Sequence, residues 1–290
     1  MTDATTTAND GGEGLKPDEL IPYKKVGDVE LSLHIFRPDG ADGNRPGILF
    51  FFGGAWRGRS PSQFYPHCRY LASRGMVAIG GEYRVELQHG TTPFECVTDG
   101  KSAMRWVRAH ADELGLDPAR IASGGGSAGG HVAAACATVE EFDDPSDDLA
   151  VSPRPDALVL FNPVFDNSPD GWGHDRVEER WEVFSPAHNI REGHPPTIVF
   201  VGSEDTALPI PIAERYRKRM AAVGSRHDLF IYPGQPHAFF NYGDGSNPYY
   251  SATVYEADRF LASLGYTTGP PTIQPDDVDV IRPSEEGSCS

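Results

Sequence analysis

Long apolar runs are missing from this 290-residue chain, so no segment of about twenty residues is fit to cross a bilayer as a helix. Cysteine is scarce as well. Cys68, Cys96, Cys136 and Cys289 show no CxxC spacing, which argues against a disulfide framework and against a zinc site. Cys136 falls in an apolar helical stretch and reads as core filler, whereas Cys289 sits in a polar tail and reads as an exposed thiol. Positive charge is the third shortage: 25 Lys and Arg face 42 Asp and Glu, a formal charge of -17. Without a basic footprint, neither nucleic acid nor an anionic membrane is an expected partner. The acidic excess reads as a solvated surface, with adaptation to high salt as the sharper alternative. The first residues, Met1 to Thr7, lack the charged and apolar regions of a secretory signal, so a cytoplasmic location is expected.

What is present is an alternation of strand and helix patterns. Residues 1–20 are poor in large apolar side chains and are expected to be largely disordered. One domain is expected over 21–266, followed by a polar, proline-rich tail over 267–290. Val29–Phe36 has period-two patterning, as a strand with one wet face does. Continuous apolar runs at 47–52, 76–81, 157–161, 197–201 and 228–232 read as strands buried on both faces of a parallel sheet. Helical stretches separate them at 62–74, 93–114, 130–138 and 212–223, and a last one at 251–264 closes the domain. Such a pattern predicts an α/β fold with helices on both sheet faces and with functional loops at the carboxyl ends of the strands. The sheet end near 251–264 is a candidate dimer surface.

One such end carries Gly125-Gly126-Ser127-Ala128-Gly129, between the short strand 121–124 and an alanine-rich helix. A serine at a sharp strand-to-helix turn needs tiny neighbours, because its backbone is strained and its hydroxyl must face substrate and base together. Ser127 is therefore the candidate nucleophile. Upstream, Phe52-Gly53-Gly54-Ala55-Trp56 closes a buried strand with small residues whose amides can turn towards a carbonyl oxygen. The N–H groups of Gly54, Ala55 and Ala128 are the candidate oxyanion hole. Trp56 is a candidate wall for the acyl or alcohol pocket, with core packing as the equal alternative. His34 and His131 read as structural.

Together with Glu82-Tyr83-Arg84 and Gly125–Gly130, this loop makes the chain resemble the α/β-hydrolase carboxylesterases, in particular the hormone-sensitive-lipase-like acetyl esterases, over about residues 25–266. Similar proteins carry an HGGG- or HGGxW-type loop, a D-Y-R segment and a GxSAGG elbow. Here Phe52 replaces the usual loop histidine, Ala55 the third loop glycine, and Gly126 the Asp or His often found before the nucleophile. The resemblance implies an α/β-hydrolase fold and the chain order nucleophile, acid, base. It places the acid at Asp205, in Val201–Leu208, with Asp166 as the backup and Glu204 pointing elsewhere. It places the base at His237, in Tyr232–Phe240, the one histidine that follows both at the end of a strand.

The expected chemistry is hydrolysis of short-chain, acetyl-type esters through a Ser127–His237–Asp205 triad and an acyl-enzyme, with no metal and no cofactor. Little or no cap domain is expected, since the sheet begins early. The segment 162–195 is the candidate short lid, and an open pocket suits a small acyl group on a bulky alcohol such as an acetylated carbohydrate. The competing readings are an arylformamidase or amidase and, in another class, a non-catalytic binding protein on the same fold.

Overall fold

The structure is a computed structural model that describes residues 12, 14–40, 43–243 and 247–282. Eight strands form one sheet: β1 (Glu19–Val26), β2 (Val29–Phe36), β3 (Arg45–Phe51), β4 (Val77–Gly81), β5 (Leu116–Gly126), β6 (Leu158–Phe161), β7 (Thr197–Gly202) and β8 (His227–Tyr232). Their order is β1-β2-β4-β3-β5-β6-β7-β8. The pairs β1/β2 and β2/β4 are antiparallel and all the others parallel. The helices are α1 (Tyr65–Ser73), α2 (Glu86–His89), α3 (Pro93–Ala109), α4 (Ala111–Leu114), α5 (Ala128–Thr138), α6 (Trp181–Phe184), α7 (Ile210–Ala222) and α8 (Pro248–Ser263).

The continuous apolar runs do what a sheet covered twice requires. In β3, Leu49 and Phe51 join one core with Val97 and Met104 of α3, Val132 of α5 and Tyr216 of α7. Ile48 and Phe50 face the opposite side, with Leu71 of α1 and Phe260 and Leu261 of α8. Successive side chains of one strand therefore feed two cores, because Cβ directions alternate along a strand. Two glycines let the central strands carry the elbow: a Cβ on Gly125 would lie 2.6 Å from the Phe51 carbonyl oxygen, and one on Gly129 would lie 2.0 Å from it. Any larger residue would push β3, β5 and α5 apart.

One expectation is corrected at the edge of the sheet. Residues 14–20 have a defined place: Leu15 packs against the second core, Asp18 accepts from the Arg37 N–H at 2.8 Å and pairs with Arg69 at 3.2 Å, and Glu19 begins β1. Backbone pairing and ion pairs hold this stretch, so its poverty in apolar residues did not signal disorder. Pro22 stands in β1, which is tolerated because β1 is an edge strand and shifts register between Pro22 and Lys24. Residues 1–11 and 13 lie outside the described residues, as does Cys289. Residues 267–282 are fastened by the Thr267 hydroxyl to Asp258 and by an antiparallel bridge between Ile281 and Ile231. That bridge covers part of the β8 edge.

Cys68, Cys96 and Cys136 are buried free thiols, and burial pushes the Cys136 thiol up to about 12. Among the described residues no group of acidic, His or Cys side chains is arranged to hold a metal ion, and no helix is long and apolar enough to cross a membrane.

Candidate active site

The elbow is strained where the sequence required it to be. Ser127 has φ 53° and ψ −120°, outside the ordinary region for a side-chain-bearing residue. Neighbours on both sides hold it there. The Ser127 N–H donates to the Phe161 carbonyl at 3.0 Å, and the Val164 and His131 N–H groups donate to the Ser127 carbonyl at 3.2 and 3.0 Å. Gly126 is required by a contact that no local pattern shows: a Cβ there would lie 2.4 Å from Cζ of Phe240.

Three side chains from three strand ends converge. The Ser127 hydroxyl lies 2.8 Å from His237 Nε2, and His237 Nδ1 lies 2.7 Å from Asp205 Oδ2. Asp205 is 3% exposed, and its other oxygen accepts the N–H groups of Ala207 and Leu208 at 2.8 and 2.9 Å. One carboxylate oxygen is thus satisfied by backbone, which leaves the second free for the imidazole and fixes its direction. Gly202 makes this crossing possible, since a Cβ there would lie 2.1 Å from the Gln235 carbonyl oxygen of the histidine loop. Asp166 is engaged elsewhere, with Ser168 at 2.7 Å and Arg215 at 3.3 Å, and so drops out as the backup acid. Glu204 is exposed, pointing away as expected.

The Gly53–Trp56 loop lies against the elbow, for a Cβ on Gly53 would be 3.4 Å from Ser127 Cβ. Gly54, Ala55 and Trp56 all have positive φ (108°, 56° and 57°). Two of them carry side chains, so surrounding contacts must impose the conformation. The Gly53 N–H donates to Gln63 Oε1 at 2.7 Å, and the Tyr83 hydroxyl donates to the Phe52 carbonyl at 2.5 Å. Phe52, standing where relatives have histidine, stacks on Tyr83 with centroids 4.2 Å apart. The Arg176 guanidinium donates to the Ala55 carbonyl and pairs with Glu86 at 2.7 Å. Among the described residues the N–H groups of Gly54, Ala55 and Ala128 have no protein acceptor, as donors kept for a ligand would not.

The pocket-wall reading of Trp56 is overturned. Its side chain is fully buried between His131, Trp172 and Phe184, with ring centroids 5.2 to 5.9 Å away. It pins the loop from behind and presents no surface to a ligand. His131 is structural as expected: it stacks on Phe184 at 4.2 Å, and burial pushes its imidazole down to about 3, so it stays neutral. The segment 162–195 supplies Trp172, Arg176 and Phe184 to this packing and contains only short helical turns. Gln63, Asn162 and Arg176 were missed as functional candidates. Only Tyr83 had a signal, the E-Y-R segment, which carried family likeness without revealing the brace it forms.

Comparison with known proteins identifies the family. The family designated BD-FAE matches residues 33–166, and the dienelactone hydrolase family matches residues 175–263. The propionate-bound esterase 2 of Thermogutta terrifontis is 42% identical, with a TM-score of 0.82 over 87% of this chain and 96% of that one. The chain belongs to the α/β-hydrolase carboxylesterases, in their hormone-sensitive-lipase-like group. Within that family it is 31% identical over 215 residues to esterase LipC of Mycobacterium tuberculosis, covering 67% of this chain and 53% of LipC. It is 26% identical over 235 residues to isoprenylcysteine alpha-carbonyl methylesterase ICME of Arabidopsis thaliana, covering 71% of this chain and 53% of that protein. The chain therefore spans about half the length of these two relatives and nearly all of the solved esterase.

Proposed function

We propose that this carboxylesterase-family chain hydrolyses short-chain carboxylic esters, with Ser127 as nucleophile, His237 as general base and acid, and Asp205 as the group that orients the base. The observation that carries this reading is the unbroken line Ser127 Oγ, His237 Nε2, His237 Nδ1, Asp205 Oδ2 at 2.8 and 2.7 Å. A hydroxyl becomes a competent nucleophile when a positioned base takes its proton.

His237 accepts the Ser127 proton as Oγ bonds to the ester carbonyl carbon, and Asp205 stabilises the imidazolium that forms. The carbonyl oxygen becomes an oxyanion facing the Gly54, Ala55 and Ala128 N–H groups, each such donor typically contributing about 3 kcal/mol. His237 then gives its proton to the departing alkoxide, leaving an acyl-Ser127 ester. Water attacks that ester with His237 again as base, releasing the acid and restoring Ser127. Both half-reactions use the same base, His237, and the same oxyanion donors.

One comparison supports a short acyl group. The similar Thermogutta esterase is described with propionate and with butyrate bound, acids of three and four carbons. A carbohydrate alcohol is the further proposal, on the ground that the segment 162–195, which packs on the oxyanion loop, contains only short helical turns. Initial rates on p-nitrophenyl acetate, butyrate and octanoate, on acetylated xylan and on N-formylkynurenine test the reading. Acetate and butyrate are expected to exceed octanoate at least tenfold. Octanoate as fast as acetate refutes the short-acyl preference, and turnover of only the N-formyl substrate refutes ester hydrolysis in favour of amide chemistry.

A further inference from the structure

Asn162 is fully buried at the carboxyl end of β6, and it joins the two halves of the site. Its backbone N–H extends the sheet ladder to the Phe200 carbonyl at 2.7 Å, and its φ is 34°. Its immediate neighbour Phe161 and, two residues on, Val164 make the hydrogen bonds that hold the Ser127 backbone on either side. Its side chain reaches the histidine loop. Asn162 Oδ1 accepts the Ala238 N–H at 3.0 Å, at a residue held at φ 66°, and Asn162 Nδ2 lies 3.3 Å from His237 Nε2.

The first of these contacts decides the second. A backbone N–H can only donate, so the atom facing Ala238 must be the amide oxygen, and the NH₂ group must then face His237. An N–H aimed at Nε2 favours the lone pair of the neutral imidazole and opposes a proton at that atom. Asp205, on the opposite ring nitrogen, does the reverse. Among the described residues the side chains within hydrogen-bond distance of the imidazole nitrogens are Asp205 from the loop after β7, Ser127 from the elbow and Asn162 from the end of β6. Of these only Asp205 is charged. Residues 233–241, which carry His237, contain no other ionisable side chain, and His131 on α5 is buried and neutral.

We propose that Asn162 is a positioning residue for the general base, orienting His237 so that its Nε2 faces the Ser127 hydroxyl whose proton it accepts. This inference rests on the triad reading given above and adds a partner to it.

The test is the pH profile of kcat/KM on p-nitrophenyl acetate for wild type, Asn162→Asp, Asn162→Ser and Ser127→Ala. Asn162→Asp keeps an oxygen for the Ala238 N–H and turns a carboxylate oxygen towards Nε2. The midpoint of its acid limb is expected to move up by at least one pH unit, while the alkaline plateau falls less than tenfold. Asn162→Ser keeps an acceptor and removes the N–H, and its midpoint is expected to move up by less; it decides the matter should the Asp variant fail to fold. A lowered plateau with an unmoved or lower midpoint means that Asn162 only props the loop, which overturns the inference. Activity retained by Ser127→Ala overturns the triad reading instead, so the two failures are distinguishable.

Discussion

The ring of Phe240 closes over the backbone of Gly126, so tightly that a Cβ on Gly126 would lie 2.4 Å from Phe240 Cζ. The residue before the nucleophile is therefore chosen by a residue three positions after the base. Gly126→Ala is expected to lower stability by about 1–3 kcal/mol through overpacking. In a double-mutant cycle with Phe240→Ala the coupling should reach at least about 1 kcal/mol, because the larger cavity accepts the methyl group. Urea denaturation of the four proteins measures it, and strict additivity contradicts the contact.

Tyr83 and Phe52 make a second such pair. The hydroxyl donates to the carbonyl that opens the oxyanion loop, and the rings stack. Tyr83→Phe keeps the stack and removes the donor, leaving a buried carbonyl unsatisfied. A fall in kcat of roughly tenfold with KM little changed is expected, equivalent to about 1.4 kcal/mol of transition-state stabilisation. A change confined to KM would show that the brace does not act on the oxyanion hole.

Arg176 holds the same loop from the lid side, through the Ala55 carbonyl and Glu86. Arg176→Ala should reduce kcat more than Tyr83→Phe does, because it also frees the segment that packs on Trp56. Glu86→Gln, which weakens the ion pair but leaves the carbonyl contact, should cost less. Steady-state kinetics on p-nitrophenyl acetate rank the three variants, and a larger loss for Glu86→Gln than for Arg176→Ala contradicts the assignment.

Acid should destabilise the fold through its buried histidines. Burial pushes His67, His131 and His227 down to about 3 and His194 down to about 4, from an ordinary 6.5. As pH falls below 6.5 the unfolded chain takes up protons that the folded chain refuses, so stability is lost down to the folded-state values. Each such histidine contributes up to about 1.4 kcal/mol per pH unit. His67 sits among the rings of Phe50, Phe64, Phe161, Phe240 and Tyr250, and among the described residues neither of its nitrogens has a partner. His67→Phe should flatten the slope of unfolding free energy against pH, between pH 6 and 4.5, by about one proton per molecule. An unchanged slope refutes the burial argument.

Much of this molecule was legible because its signals are local or periodic. The apolar runs of β3, β4, β6, β7 and β8, the Gly125–Gly129 elbow and the order of Ser127, Asp205 and His237 all lie along the chain. Edge strand β1 was not legible: its apolar residues do not alternate, Pro22 interrupts it, and pairing with β2 holds it in place. Trp56 stood between two readings because a tryptophan beside an oxyanion loop fits a pocket wall and a core equally well. Only the long-range packing of His131, Trp172 and Phe184 chooses between them. Gln63, Asn162 and Arg176 act through contacts 10 to 121 residues apart, which no spacing rule encodes.

The central claim is that Ser127, activated by His237, is the acylated residue. Paraoxon, which phosphorylates the similar Thermogutta esterase, tests it by mass spectrometry of proteolytic peptides. The account predicts one phosphoryl group per chain on the peptide bearing Ser127, esterase activity lost in step with labelling, no such adduct in Ser127→Ala, and strongly slowed labelling in His237→Gln. Full labelling of Ser127 with activity intact, or loss of activity with the phosphoryl group on another residue, contradicts it.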